Sequence, residues 1–122
     1  MKWSMIEMRK YRNKKVKQDG YTFDSIAEHH RYLVLCDMEA RGEIEQLEVH
    51  PKFTLQESFV DTWSGKRQRA VTYTGDFRYL ENAHHVVEDV KGGRATQTAA
   101  FRIKAKWFMR LNPGIEFRVV EM

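Results

Sequence analysis

The sequence predicts one α/β domain with its elements in the order α-β-β-β-β-α-β, a mixed sheet of four to five strands flanked by helices. Three observations carry this prediction. A capped helix opens the domain, a central stretch rich in β-branched and aromatic residues is punctuated by turn signals, and a second helix stops at Asn112-Pro113-Gly114 before a last strand. The second helix then serves as the crossover between two strands. No internal repeat or linker divides the 122 residues.

Residues 1–20 lack clean periodicity and end in the turn signal Asp19-Gly20, so they read as a basic N-terminal arm, with the domain over 21–122. Ser25-Ile-Ala-Glu28, with Phe23 just before it, matches a capping box. Ile26, Leu33 and Met38 then form a helical stripe that ends at Arg41-Gly42, which predicts a helix over about 24–41. Ile44, Leu47 and Val49 lead into Pro51, and Phe53, Leu55, Glu57 and Phe59 follow with a period near two, giving two short strands. Lys66-Arg-Gln-Arg69 reads as an exposed hairpin loop. Ala70–Thr74 and Asp76–Leu80 form the next strand, interrupted at Gly75 as a bulge or a close approach requires. His85–Lys91 is the most strand-like run, with Val86, Val87 and Val90 on both faces as in a central, buried strand. A helix over 96–111 and a strand over Glu116–Val120 complete the chain.

No apolar run reaches the roughly 20 residues of a membrane helix. The N-terminus opens no signal-peptide core, and the lone Cys36 excludes a disulfide framework and a multi-cysteine zinc site. The expectation is a small, soluble, cytoplasmic domain. Charge is uneven along the chain. Residues 1–17 carry seven cations against Glu7 alone, and Val90–Ile115 carries six with no acid, so the middle is acidic. Two basic blocks around an acidic centre suit a protein that grips a polyanion while presenting carboxylates to it. A solvated tail and an ordinary charged helix face give the same composition.

The chemistry centres on Asp76 and on Asp89-Val90-Lys91. Residues two apart on a strand share a face, so Asp89 and Lys91 lie side by side, and a short turn brings Asp76 onto the neighbouring antiparallel strand. Two carboxylates there suit a hard divalent ion with water and phosphate in its remaining positions. The lysine is placed to orient or deprotonate water, or to offset charge on the phosphate oxygens. A cross-strand Asp–Lys pair on a solvated face is the plain alternative, but Asp89 falls inside a run of valines, where a carboxylate is costly.

Gly75-Asp76, the Val-Glu-Asp89-Val-Lys91-Gly strand and the Ser25-x-x-Glu28 helix resemble the PD-(D/E)xK nuclease superfamily. The span from Lys10 to Val120 is similar to a small phage- and prophage-encoded family of unknown function within it, for which junction-resolving or recombination roles are proposed. The resemblance implies a restriction-endonuclease-like core and cleavage of phosphodiesters that depends on Mg²⁺, with Mn²⁺ substituting. It matches Asp76 to the first acidic position, Asp89 and Lys91 to the (D/E)xK pair, and Glu28 to an added helix glutamate. Glycine, not proline, precedes Asp76. Glu28 thus has two readings, as the reciprocal partner of the Ser25 cap or as a third metal carboxylate with Asp76 and Asp89. Glu88 falls on the face opposite Lys91.

The expected ligand is DNA, in branched form if the protein resolves junctions. Phosphate contacts are expected from Lys10, Arg12, Lys14, Lys15 and Lys17 in the arm and from Arg94, Arg102, Lys104 and Lys106 near the second helix. Two symmetric cuts at a cruciform call for a homodimer. No membrane and no organic cofactor are expected. The five histidines, His29, His30, His50, His84 and His85, receive no role, and Trp63 in the hairpin loop is either an ordinary loop aromatic or a stacking residue. The competing function is a non-catalytic basic DNA-binding module of a phage recombination or replication system. A phage morphogenesis or adaptor role has no positive sign.

Overall fold

The computed structural model describes residues 14–92 and 97–122. The first elements are strands β1 (Val16–Gln18) and β2 (Tyr21–Phe23), which form an antiparallel hairpin. Residues 16–20, assigned from the sequence to a basic arm, therefore belong to the folded body. Phe23 is fully buried, and the Tyr32 hydroxyl donates to Asp19 at 2.7 Å.

Helix α1 (Ile26–Ala40) begins as the capping signal predicts, with the Glu28 amide donating to the Ser25 hydroxyl at 3.0 Å. It ends at Gly42, which takes φ +78°. The Gly42 and Glu43 amides donate back to the Glu39 and Met38 carbonyls, the paired bonds of a Schellman end that glycine adopts without steric cost.

Strands β3 (Glu45–Val49), β4 (Lys52–Gln56), β5 (Phe59–Val60), β6 (Arg67–Gln68), β7 (Val71–Thr74), β8 (Phe77–Glu81) and β9 (His84–Lys91) precede helix α2 (Ala99–Leu111) and strand β10 (Ile115–Glu121). The main sheet has the order β10-β9-β8-β3. β9 and β10 are parallel, joined across α2, and the other neighbours are antiparallel. The mixed α/β class predicted from the sequence is the one observed. Arg67 and Gln68 pair with Val60 and Phe59, so the exposed loop is 61–66 and not Lys66–Arg69. Asp61 organises that loop by accepting the Ser64 amide at 3.0 Å.

β3 and β4 are separated only by His50-Pro51, and β7 and β8 only by Gly75-Asp76. One two-stranded ribbon thus leaves the main sheet and continues as a second sheet, β4 with β7. Its corner is tied by the His50 amide to the Asp76 carbonyl and by the Gly75 amide to the Pro51 carbonyl, each at 2.9 Å. Gly75 is a close-approach glycine, because a Cβ there would meet Val87 Cγ1 at 3.0 Å and the Tyr73 hydroxyl at 3.5 Å.

β9 divides two apolar compartments. Val86 packs with Phe23, Tyr32, Leu35, Ile44, Phe77 and Tyr79 on the α1 side, and Val87 packs with Leu55, Tyr73 and Phe108 on the α2 side. Strand alternation then fixes the flanking charges, with Glu88 facing α1 and Asp89 and Lys91 facing the other way.

Candidate metal centre

The first turn of α1, the corner of the ribbon and the second half of β9 meet at one place. Glu28 is 4% exposed, and its Oε2 accepts the Asp24 amide at 3.0 Å. Its Oε1 lies 2.7 Å from His50 Nε2. Glu28 therefore departs from the first sequence reading, which paired it with the Ser25 cap. It closes the cap, through Asp24 and not Ser25, and still directs an oxygen into the site.

Asp76 follows the corner glycine, and its Oδ2 accepts the Val90 amide at 2.6 Å. One ligand atom from each of Glu28, His50 and Asp76 lies within 4.8 Å of the other two. Burial, then the nearby charges of Asp89 and Glu28, push the Asp76 carboxyl up to about 8, against the opposing pull of the Val90 amide and Lys91.

Asp89 is 4% exposed and close behind. Its Oδ2 accepts the Tyr73 hydroxyl at 2.6 Å, and its Oδ1 lies 3.0 Å from Lys91 Nζ. Burial and then the Asp89 charge raise the Tyr73 phenol far above its usual range, so it stays a neutral donor. Lys91 Nζ also sits 4.2 Å from the centre of the Phe101 ring at the start of α2. Two contacts thus hold the amine in one place.

On the opposite face of β9, Glu88 is 0% exposed and meets Arg31 through two bonds of 2.8 and 2.6 Å, with the Tyr79 hydroxyl as a third donor. This carboxylate is fully partnered and turned away from the site, as parity predicts.

Donor chemistry tests whether a divalent cation fits. Glu28 and Asp76 offer carboxylate oxygens, His50 an imidazole nitrogen, and Asp89 stands beside them. Such a set suits a divalent ion that accepts mixed oxygen and nitrogen ligands. Burial first, and then the like charges of Asp89 and Glu28, make an ionised Asp76 costly, and a bound cation offsets that cost. The residues fit the group.

The family comparison bears on the same residues. The model described as Protein of unknown function (DUF1064) matches residues 8–120. This chain belongs to the DUF1064 family. No curated protein and no solved structure matches it. The DUF1064 match spans Glu28, His50, Asp76, Asp89 and Lys91 together with both described helices.

The structure thus brings together all four residues expected to carry chemistry, Glu28, Asp76, Asp89 and Lys91. Asp89 directs its oxygens at Tyr73 and Lys91, while His50, given no role from the sequence, stands with Glu28 and Asp76. The one local signal at His50 is its position before Pro51. It takes φ +56°, a left-handed backbone uncommon for a side chain and away from the extended range usual before proline. Of the expected phosphate contacts, Lys14, Lys15, Lys17, Arg102 and Lys106 are exposed and Lys104 is half-buried. Lys10, Arg12 and Arg94 lie outside the described residues. Trp63 is 96% exposed at the tip of the 61–66 loop. Among the described residues no helix is long and apolar enough to cross a membrane.

Proposed function

We propose that this DUF1064 protein is a divalent-metal-dependent DNA endonuclease of the PD-(D/E)xK type, with a restriction-endonuclease-like core. The observation that supports this most is the convergence of Glu28, Asp76, Asp89 and Lys91 on one buried edge of the sheet, with the Asp89–Lys91 contact at 3.0 Å. Glu28, His50 and Asp76 hold the ion, Mg²⁺ or Mn²⁺, with Asp89 beside them. When bound, the ion supplies concentrated positive charge next to a phosphodiester.

The chain's own residues do the rest. Asp89 and Phe101 fix the Lys91 amine where it orients an attacking water and offsets negative charge growing on the phosphate oxygens. Tyr73 keeps Asp89 turned toward Lys91. The exposed cations Lys14, Lys15, Lys17, Arg102 and Lys106 grip the sugar–phosphate backbone, which positions DNA without reading its sequence. The finer reading is a phage-derived junction resolvase that works in the cytoplasm of a bacterial host as a two-fold dimer.

The test is to incubate the purified chain with linear and branched DNAs in Mg²⁺, Mn²⁺ or EDTA, beside Asp76→Asn. Cleavage is expected with either metal, and none in EDTA or in the variant. Failure to cut any DNA in either metal, or equal cutting by Asp76→Asn, overturns the proposal.

A further inference from the structure

Helix α2 carries two parallel stripes, of whose members only Trp107 also packs against the core. Ile103, Trp107 and Leu111 recur every fourth residue, and Arg102, Lys106 and Arg110 recur with the same spacing one position earlier. Each stripe runs about 12 Å along the helix. A groove of about 460 Å³ lies between them, lined by Arg102, Ile103, Lys106, Trp107 and Arg110. The helix packs into the domain through Ala105 and Phe108, with Phe101 and Trp107 half-buried against the same core, whereas Ile103 is 63% exposed and Leu111 49%. No acidic residue occurs on α2.

The groove also has a direction. Phe101, immediately before Arg102, is the ring against which Lys91 Nζ rests. The N-terminal end of α2 is therefore the end nearest the lysine of the candidate site, and both stripes run away from it toward Leu111.

A row of cations alone suits any polyanion. The apolar stripe beside it narrows the ligand. Duplex DNA turns phosphates and sugars outward and keeps its bases stacked inside, so it engages the cations and leaves Ile103 and the open edge of the half-buried Trp107 without a partner. An unpaired strand offers both a charged backbone and free base faces, and aromatic side chains in basic grooves bind such bases whatever the sequence.

We infer that the α2 groove binds unpaired DNA, with phosphates on Arg102, Lys106 and Arg110 and bases against Trp107 and Ile103, and leads the strand to Lys91. The inference rests on the nuclease reading for its choice of DNA, and it narrows the substrate to single strands or to branched DNA with unpaired segments.

The experiment measures binding in EDTA by fluorescence anisotropy, with a thymidine oligomer and a duplex of equal length. The oligomer should bind the more tightly. Ile103→Ser, at an exposed position, should keep the fold by calorimetry, weaken the oligomer roughly tenfold and leave the duplex within about twofold. Lys106→Gln should weaken both ligands and lower the salt slope on the oligomer by about 0.7. A bromodeoxyuridine oligomer should photocrosslink at Trp107, located by mass spectrometry of the peptides.

Equal affinity for duplex, an equal loss on both ligands in Ile103→Ser, or crosslinks away from α2 would overturn the inference. So would light scattering in which Ile103→Ser splits a dimer while oligomer binding is unchanged, since the face would then join two copies of the chain. The two proposals fail separately. Binding as expected without metal-dependent cleavage removes the nuclease and keeps the groove. Cleavage with oligomer binding indifferent to Ile103 removes the groove and keeps the nuclease.

Discussion

Replacing Asp76 by asparagine separates two consequences of its carboxylate. The group sits against Asp89 and Glu28, and burial with these neighbours raises it from 3.8 to about 8. A carboxyl raised in the folded state binds its proton more tightly there than in the unfolded chain. Its contribution to stability is therefore complete below about pH 4 and is lost as pH rises toward about 8. The loss accumulates at about 1.4 kcal/mol per pH unit, which amounts to several kcal/mol over that window. Asparagine has the same shape, carries no charge and keeps an acceptor for the Val90 amide. In EDTA near pH 8, Asp76→Asn should melt above the wild type, by about 4 °C for each kcal/mol in a domain of this size. Near pH 4 the two should coincide. Added Mn²⁺ should reverse the order, since a ligand that binds only the folded state stabilises in proportion to the logarithm of its concentration over Kd. Scanning calorimetry at several pH values, with EDTA or Mn²⁺, reads both effects. Equal melting near pH 8 in EDTA refutes the crowding argument. Equal stabilisation by Mn²⁺ removes Asp76 from the metal centre.

Further outcomes follow from the same geometry. Lys91→Ala should lower the cleavage rate by orders of magnitude with little change in Mn²⁺ affinity by titration calorimetry, and Lys91→Arg should rescue poorly because a planar guanidinium does not take the place of the compact ammonium between Asp89 and Phe101. Full activity of the arginine variant would leave Lys91 only an electrostatic role. His50→Ala should weaken Mn²⁺ by roughly tenfold and Mg²⁺ by less, because imidazole suits transition ions better than Mg²⁺; an equal loss would deny nitrogen ligation. Arg31→Ala strips Glu88 of its two-bond partner and should cost about 3–5 kcal/mol in urea unfolding, while cleavage by the molecules that remain folded is unchanged. A loss under about 1 kcal/mol would mean that Tyr79 alone satisfies Glu88.

Much of this architecture was legible because local rules and tertiary packing agree. Ser25 and Arg41-Gly42 bound α1 where cap chemistry places its ends, and Asn112-Pro113 stops α2. Period-two alternation put Asp89 and Lys91 on one face of β9 and Glu88 on the other. The hairpin of β1 and β2 escaped because three-residue strands are too short to show a period, and its turn, Asp19-Gly20, served equally well as the end of an arm. β6 escaped for the same reason, its two residues being hidden in a basic loop sequence. His50 escaped because its role depends on a corner between sheets. Glu28 lies 22 positions away, and no periodicity in the sequence links the two.

The adjacency of Glu88 and Asp89 bears on how this strand finds its alignment. β9 is held by Phe77 of β8 opposite Glu88 and by Val119 of β10 opposite Asp89. A slip of one residue would keep most ladder bonds and turn every side chain over. Apolar patterning guards poorly against such an error here, because Val86, Val87 and Val90 already serve both faces. Two like carboxylates side by side would simply exchange surroundings. The discrimination falls to the lone ammonium of Lys91, which a slip would turn onto the face that carries Val86 and Val90. The same cation proposed to orient water thereby acts as the proofreader of the sheet, so variants that neutralise it should misalign more readily during folding even where the native state tolerates them.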